Sequence, residues 1–370
     1  MIRITGSAVS VGKRLPYDVL DQTGRLLLLR GENIATDELA EQLRQHGYRR
    51  SKPSKYDSAY SGMKQLSARF AEMEKELEEK RDLDLWPRRI AGLARDLMEI
   101  SDSDPDAAFA NIHLEVVHHY MVVHQLMAAL VSCRLALANG LDDERRFAVT
   151  AAALTHDMGM LSMRREIDRA EQLTAAQRER VKHHTVEGVR LLEELGIDNP
   201  LWLATVRDHH EYIDGSGYAG KRGDDLALES RILALADSYS AMLRPRPYRE
   251  RVLASAALET LYANESNRYD SFLLELLIWD FGFHPPGSLI RLASHEMAVV
   301  IRNTPGILDN PVVAALTDSG GRPLVKPHMR DTRQSQYAIK KTLDPSMAIR
   351  SARQIEQCWM PGSGFILSAE

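Results

Sequence analysis

At 370 residues, with 44% apolar and 27% charged side chains, the chain is long enough for two or three domains and too apolar for global disorder. A net charge of −5 excludes bulk attraction to DNA, RNA or anionic lipid, and two cysteines 225 residues apart, Cys133 and Cys358, exclude a disulfide framework and a cysteine-built zinc site. A cytoplasmic setting fits, and with no leader pattern and no run approaching 18 apolar residues, no membrane span is expected.

Residues 1–58 carry short apolar runs parted by turn residues: Tyr17–Leu20, then Gln22-Thr23-Gly24, then Leu26–Leu29. This predicts a β-hairpin followed by a helix near Thr36–His46, a small α+β module. Residues 59–105 read as a helical linker. Its apolar positions Met63, Leu66, Phe70, Met73 and Leu77 step by 3, 4, 3 and 4, the seam of a helix lying lengthwise on a neighbour. Two heptads are short for a free-standing coiled coil, which favours packing within the chain. A homodimer or a protein partner engaged through the 63–77 helix or the N-terminal module is the other reading. Trp86-Pro87 breaks the helix, and a second amphipathic segment with Ile90, Leu93 and Leu97 runs to the polar stretch Ser101–Pro105. From 106 to 285 the pattern is helical almost throughout. Beyond Pro285-Pro286-Gly287, the runs Met297–Ile301 and Val312–Leu316 predict a β-rich appendage over 286–370. The expected fold class is mainly α: an all-helical domain with a small α+β module before it and a short β-rich appendage after it.

Histidine is the residue type that breaks the bland composition, because eight of 13 lie between His118 and His210. His156-Asp157 follows a helical run, and a helix end lets both side chains turn into one pocket where the carboxylate can bridge two ions. Alone the pair means little. His124 lies 32 residues upstream on an apolar helix, His184 opens another helix, His209-His210 follows 25 residues later, and Asp237 sits in the apolar run after Ile232. Each alone reads as a structural residue. Together they offer seven N and O ligands on successive helices, more than one tetrahedral zinc ion uses and enough for two octahedral ions sharing Asp157. Two divalent cations against two carboxylates leave a positive site suited to a phosphate. Such an ion pair generates a hydroxide nucleophile and clamps an in-line displacement at phosphorus. Asp208 and Glu211 flank the histidine pair and are expected to orient imidazoles as hydrogen-bond acceptors. His118, His119 and His183 read as exposed or supporting residues.

His124, His156-Asp157, His184, His209-His210-Glu211, Asp214-Gly215-Ser216-Gly217-Tyr218 and Asp237 resemble, in order and spacing, the HD-GYP family of metal-dependent phosphohydrolases over residues 110–285. The resemblance implies an all-helical domain with two or three metal ions, iron or manganese, that hydrolyses cyclic di-GMP to pGpG or GMP. It implies that the seven residues above are the metal ligands and that Tyr218 is the motif tyrosine. It also implies that Arg246 and Arg249 hold substrate phosphate, which suits the forked geometry of guanidinium. Three positions depart from the family pattern. Met160 stands where the family has lysine, Ala219 where it has proline, which is expected to loosen a loop, and Tyr120 where three-metal members have glutamate.

The function expected is therefore a cyclic di-GMP phosphodiesterase with two ions. The other readings are a module weakened by Met160 that binds cyclic di-GMP and signals, and a phosphohydrolase for another nucleotide.

Overall fold

The computed structural model describes residues 2–4, 9–15, 19–21, 25–29, 32–49, 55–115, 118–167, 172, 174–244, 251–263, 267–304 and 307–360. The apolar period of residues 63–77 is buried within the chain. In α2 (Ala59–Glu78), whose N-terminus is closed by a Ser58–Ser61 capping box, Met63, Leu66, Phe70, Met73 and Leu77 are all buried. They share one continuous core with α3 (Trp86–Ser103) and the helices that follow. This arrangement spends the seam on intramolecular packing.

The N-terminal elements are β1 (Ile2–Arg3), β2 (Val19–Leu20), β3 (Leu26–Leu28), α1 (Asp37–His46) and β4 (Tyr48–Arg49), in a sheet ordered β1-β4-β2-β3. The expected hairpin is the antiparallel β2–β3 pair, and the expected helix starts where Thr36 accepts a hydrogen bond from the Leu39 N–H. Tyr17, Asp18 and Gln22–Gly24 lie outside the described residues. Ala40 and Leu43 of α1 close a separate small core with Ile4, Val9, Val19 and Ile34. Lys13 ties this module to the helical body, donating to the Ala138 carbonyl at 2.6 Å and lying 4.4 Å from the centre of the Phe272 ring.

The helical body continues with α4 (Pro105–Leu114), α5 (Tyr120–Ala138), α6 (Asp143–Thr155), α7 (Arg164–Ile167), α8 (Ala175–Lys182), α9 (His184–Glu194), α10 (Pro200–Asp208), α11 (Leu228–Met242), α12 (Ala254–Ala263) and α13 (Ser271–Phe281). α5 is its axis. By length and composition alone this helix could cross a membrane, with a mean hydropathy of 1.6 over its most apolar 18-residue window. It is apolar all round because it is surrounded by other helices, with 94% of its most apolar window buried. Its one buried arginine, Arg134, is held by both carboxylate oxygens of Asp280 on α13.

The β-rich region is a five-stranded antiparallel sheet of β5 (Leu289–Leu292), β6 (Met297–Thr304), β7 (Ile307–Thr317), β8 (Pro323–Asp331) and β9 (Ile339–Leu343), ordered β8-β7-β6-β5-β9, followed by α14 (Ala352–Gln357). Alternation along β6 sends Met297, Val299 and Ile301 into the helical core and Ala298 and Val300 into a second cluster with Ile290, Leu292 and Val313. Arg302 of β6 reaches both oxygens of Asp104, the residue that caps α4, at 3.0 and 2.6 Å. Trp359, just past α14, stacks on Tyr60 of α2 with ring centres 5.2 Å apart.

Candidate metal centre

Three imidazoles are oriented in the same way, each by a carbonyl three residues earlier near a helix end. His156 Nδ1 donates to Ala153 at 2.8 Å, His209 Nδ1 to Val206 at 2.6 Å, and His184 Nδ1 to Val181. A carbonyl can only accept, so these bonds fix the Nδ1–H tautomer and leave each Nε2 with a lone pair. His124, in the first turns of α5, is turned by a different partner. Its Nδ1 lies 3.1 Å from Ser240 Oγ, whose own proton goes to the Asp237 carbonyl at 3.0 Å, so the ring donates and Nε2 again carries the lone pair.

These lone pairs converge. His184 Nε2 and His209 Nε2 lie 3.1 Å apart, and His156 Nε2 is buried with no hydrogen bond to any of the described residues. His184, His209 and His210 form one group of potential ligand atoms, all within 4.8 Å of one another, and His124, His156 and Asp157 form a second. Two carboxylates join the groups. Asp157 lies 3.6 Å from His124, 3.7 Å from His156 and 3.5 Å from His184. Asp237 lies 3.0 Å from His124, 3.6 Å from His156 and 3.9 Å from His210. All seven sequence-predicted ligands are brought to one pocket.

Electrostatics favour a cation there. Burial lowers the pKa of His124 despite Asp237, and lowers His210 to about 4 against the same carboxylate. Burial and then the neighbouring rings of His210, His156 and His184 drive His209 well below the usual imidazole range. Burial opposes ionisation of Asp157 and Asp237 too, yet the surrounding imidazoles hold both below the usual carboxylate range. His156 goes the other way, to about 9, because Asp157 and Asp237 outweigh its burial. Once a cation displaces the His156 proton, inward imidazole lone pairs around two anionic carboxylates make the donor set of a divalent-cation site, which the two groups of residues fit.

Two residues that make this geometry were missed as site residues. One is Ser240, which has no signal beyond lying three residues past Asp237. The other is Gly159, where a Cβ would come within 2.0 Å of the His184 carbonyl oxygen and 2.7 Å of the Gly188 nitrogen. Only glycine lets the 3₁₀ turn Met158–Met163 press on α9, which brings His184 beside Asp157.

Residues 110–273 match a family model described as an HD domain. A cyclic di-GMP phosphodiesterase of Pseudomonas aeruginosa is 28% identical over 56% of this chain and 51% of its own length. These matches bear out the resemblance of the helical body to HD-GYP proteins. The cyclic di-GMP phosphodiesterase response regulator RpfG of Xanthomonas campestris is 35% identical over 38% of each chain, and 3'3'-cGAMP-specific phosphodiesterase 3 of Vibrio cholerae is 31% identical over 39% of this chain and 32% of that protein. The chain thus spans about half or less of the length of these relatives. An HD-GYP protein of Bdellovibrio bacteriovorus, at 13% identity and a TM-score of 0.50, covers 74% of this chain and 97% of that one, and shares the fold.

The loop that follows the histidine pair is organised differently from the sequence expectation. Glu211 does not orient an imidazole. Its buried carboxylate accepts the backbone N–H of Ala219 at 2.6 Å and of Lys221 at 2.9 Å, while Lys221 Nζ donates to Asp208 at 2.6 Å. The departure at Ala219 therefore holds the loop instead of loosening it, since a proline has no N–H to give. Gly217 packs on the Glu211 backbone, where a Cβ would meet the Glu211 Cα at 2.5 Å. Tyr218 is 45% exposed and rests on His210, with ring centres 4.8 Å apart. Tyr120 stacks on His124 at 5.3 Å. Met160 lies half-buried in the turn after Asp157, His183 and His119 are exposed, and His118 is half-buried. Arg246 and Arg249 lie outside the described residues.

Proposed function

We propose that His124, His156, Asp157, His184, His209, His210 and Asp237 hold two divalent ions, iron or manganese, and that the chain is a cytoplasmic phosphodiesterase hydrolysing cyclic di-GMP to pGpG or GMP. The observation that carries this reading is the pair of Nε2 lone pairs facing each other across 3.1 Å, His184 against His209. Without a cation they repel. When bound, the ions supply Lewis acidity and an activated water to the phosphodiester. The chain's own residues do the rest. Asp157 lies between the two ligand groups and sets their separation. Tyr218, whose pKa burial raises to about 12, would offer its hydroxyl as a hydrogen-bond donor beside His210. Glu211 keeps Tyr218 over His210. Arg246 and Arg249 would grip the phosphate through the forked contacts that guanidinium makes.

Metal analysis of the purified protein beside turnover of cyclic di-GMP tests this reading. About two ions per chain and release of pGpG or GMP are expected, from the ligand count of two six-coordinate ions completed by water. A metal content near zero after metal-supplemented purification sinks it.

Met160 favours a second reading, in which the chain binds cyclic di-GMP and turns it over slowly. Met160→Lys returns a cation three residues from Asp157. If that cation normally assists the leaving oxygen, the turnover number rises by up to about 10²-fold, the low end of general-acid effects, with little change in affinity. An unchanged turnover number in a metal-replete variant removes that role.

A further inference from the structure

A cavity of about 330 Å³ opens between α2, the start of α5 and the turn that follows Asp157, and the metal ligands do not use it. Glu74 and Glu78 of α2, with Lys75 beside them, supply one wall, Arg164 and His119 the opposite one, and Ala71 and Val122 its apolar faces. His119 caps α5, five residues before His124, and Arg164 ends the 3₁₀ turn that begins after Asp157. The cavity therefore borders the segments that carry His124 and Asp157; burial raises Glu74 to about 7 against the pull of Arg164, and Asp157 adds only a small push in the same direction.

Arg164 Nη1 donates to Glu74 at 3.1 Å and to Glu78 at 2.9 Å, and its Nε donates to His119 Nδ1 at 3.1 Å. Glu74 is 1% exposed, and its second oxygen, Oε1, is buried with no donor among the described residues. A buried carboxylate oxygen left without a donor costs free energy that a ligand N–H would recover. A phosphate does not fit between two glutamates, and a metal ion does not fit where a guanidinium already sits between them. A flat group with two adjacent N–H donors does. Guanine has such an edge at N1 and N2, whereas adenine turns a lone pair toward the same place at N1.

Resting on the cyclic-dinucleotide reading above, we infer that this cavity reads one guanine base of the substrate, with Glu74 and Glu78 accepting from its N–H edge and Arg164 holding the two carboxylates in place. The cavity is at the small end of ligand pockets, room for a base and not for a whole cyclic dinucleotide. Ala71, Glu74 and Glu78 lie outside the HD match at 110–273. Base choice would then come from a helix beyond the shared domain.

The test uses metal-loaded full-length protein with cyclic di-GMP, 3'3'-cGAMP and cyclic di-AMP, read by calorimetric binding and by turnover. The wild type should prefer guanine to adenine. Glu74→Gln and, at a partly exposed position, Glu78→Gln should each raise the KM for cyclic di-GMP about tenfold and compress the guanine preference by a similar factor. Metal content should match the wild type in both. A preference that survives both substitutions overturns the inference, as does a loss shared equally by all three nucleotides, which marks a merely structural role. If the wild type hydrolyses none of them, the phosphodiesterase reading fails on its own, and the binding preference still decides this one. Its loss in Glu78→Gln supports base reading; its persistence, or no binding of any nucleotide, overturns it.

Discussion

On the ligand side of the centre, His156, His184 and His209 are each aimed by a carbonyl three residues away in their own stretch of chain, whereas on the loop side Tyr218 is kept over His210 by the Glu211 carboxylate gripping the backbone at Ala219 and Lys221. The first kind of bond forms as soon as the helix ends form. The second depends on one side chain closing a loop, so the loop should yield first when a single group is changed. Disturbing the ligand side should cost the metal, and disturbing the loop side should cost substrate affinity with the metal retained.

Asp157→Ala should have the largest effect, because it removes the carboxylate lying 3.5–3.7 Å from three imidazoles in both ligand groups. Both ions should be lost in metal analysis and turnover should fall below detection. His183→Ala, whose side chain is 68% exposed, should keep both ions. Equal metal loss in the two variants would mean that His184 is the wrong choice.

Gly159→Ala comes next. The added methyl meets the His184 carbonyl oxygen at 2.0 Å, so the turn must back away from α9. Overpacking of this kind costs about 1–3 kcal/mol, read as a lower melting temperature, and the displacement of His184 from Asp157 should lower metal occupancy. Full occupancy in that variant would show that the close approach serves packing alone.

Glu211→Gln probes the loop side. The amide keeps one acceptor for two N–H groups and leaves a buried donor unsatisfied, a cost of about 1–3 kcal/mol. KM for cyclic di-GMP should rise about tenfold with the metal content intact. Metal loss here would dissolve the contrast between the two sides.

Ala219→Pro should have the smallest effect and an instructive sign. It restores the family residue but removes the N–H that Glu211 accepts at 2.6 Å, worth about 1 kcal/mol and partly offset by the stiffer unfolded chain. KM should rise a few-fold. A fall would mean that ring stiffness organises the loop better than the hydrogen bond does.

Much of the centre was legible in the chain because its ligands come from helix starts and ends, where a residue's neighbours in sequence dictate where it points. His156-Asp157, His184 and His209-His210 stand at such ends, and Asp237 and His124 stand on helices apolar enough to require burial. The loop was read less well. Glu211 looked like an imidazole partner because it follows His210 directly. Its carboxylate instead turns to the backbone eight and ten residues on, a return path that adjacency cannot show.

By itself, then, the sequence determined the helical body, the β-hairpin with its following helix, the β-rich end and the seven residues that converge on the candidate centre, all properties of local period, capping and residue chemistry. Only the tertiary structure decided three further features: the pairing of Ser240 with His124, the contact of Gly159 with α9, and the position of Glu74 beside Arg164. Each joins residues far apart in the chain, across a distance fixed by how the helices pack, and no periodicity within one helix carries that information.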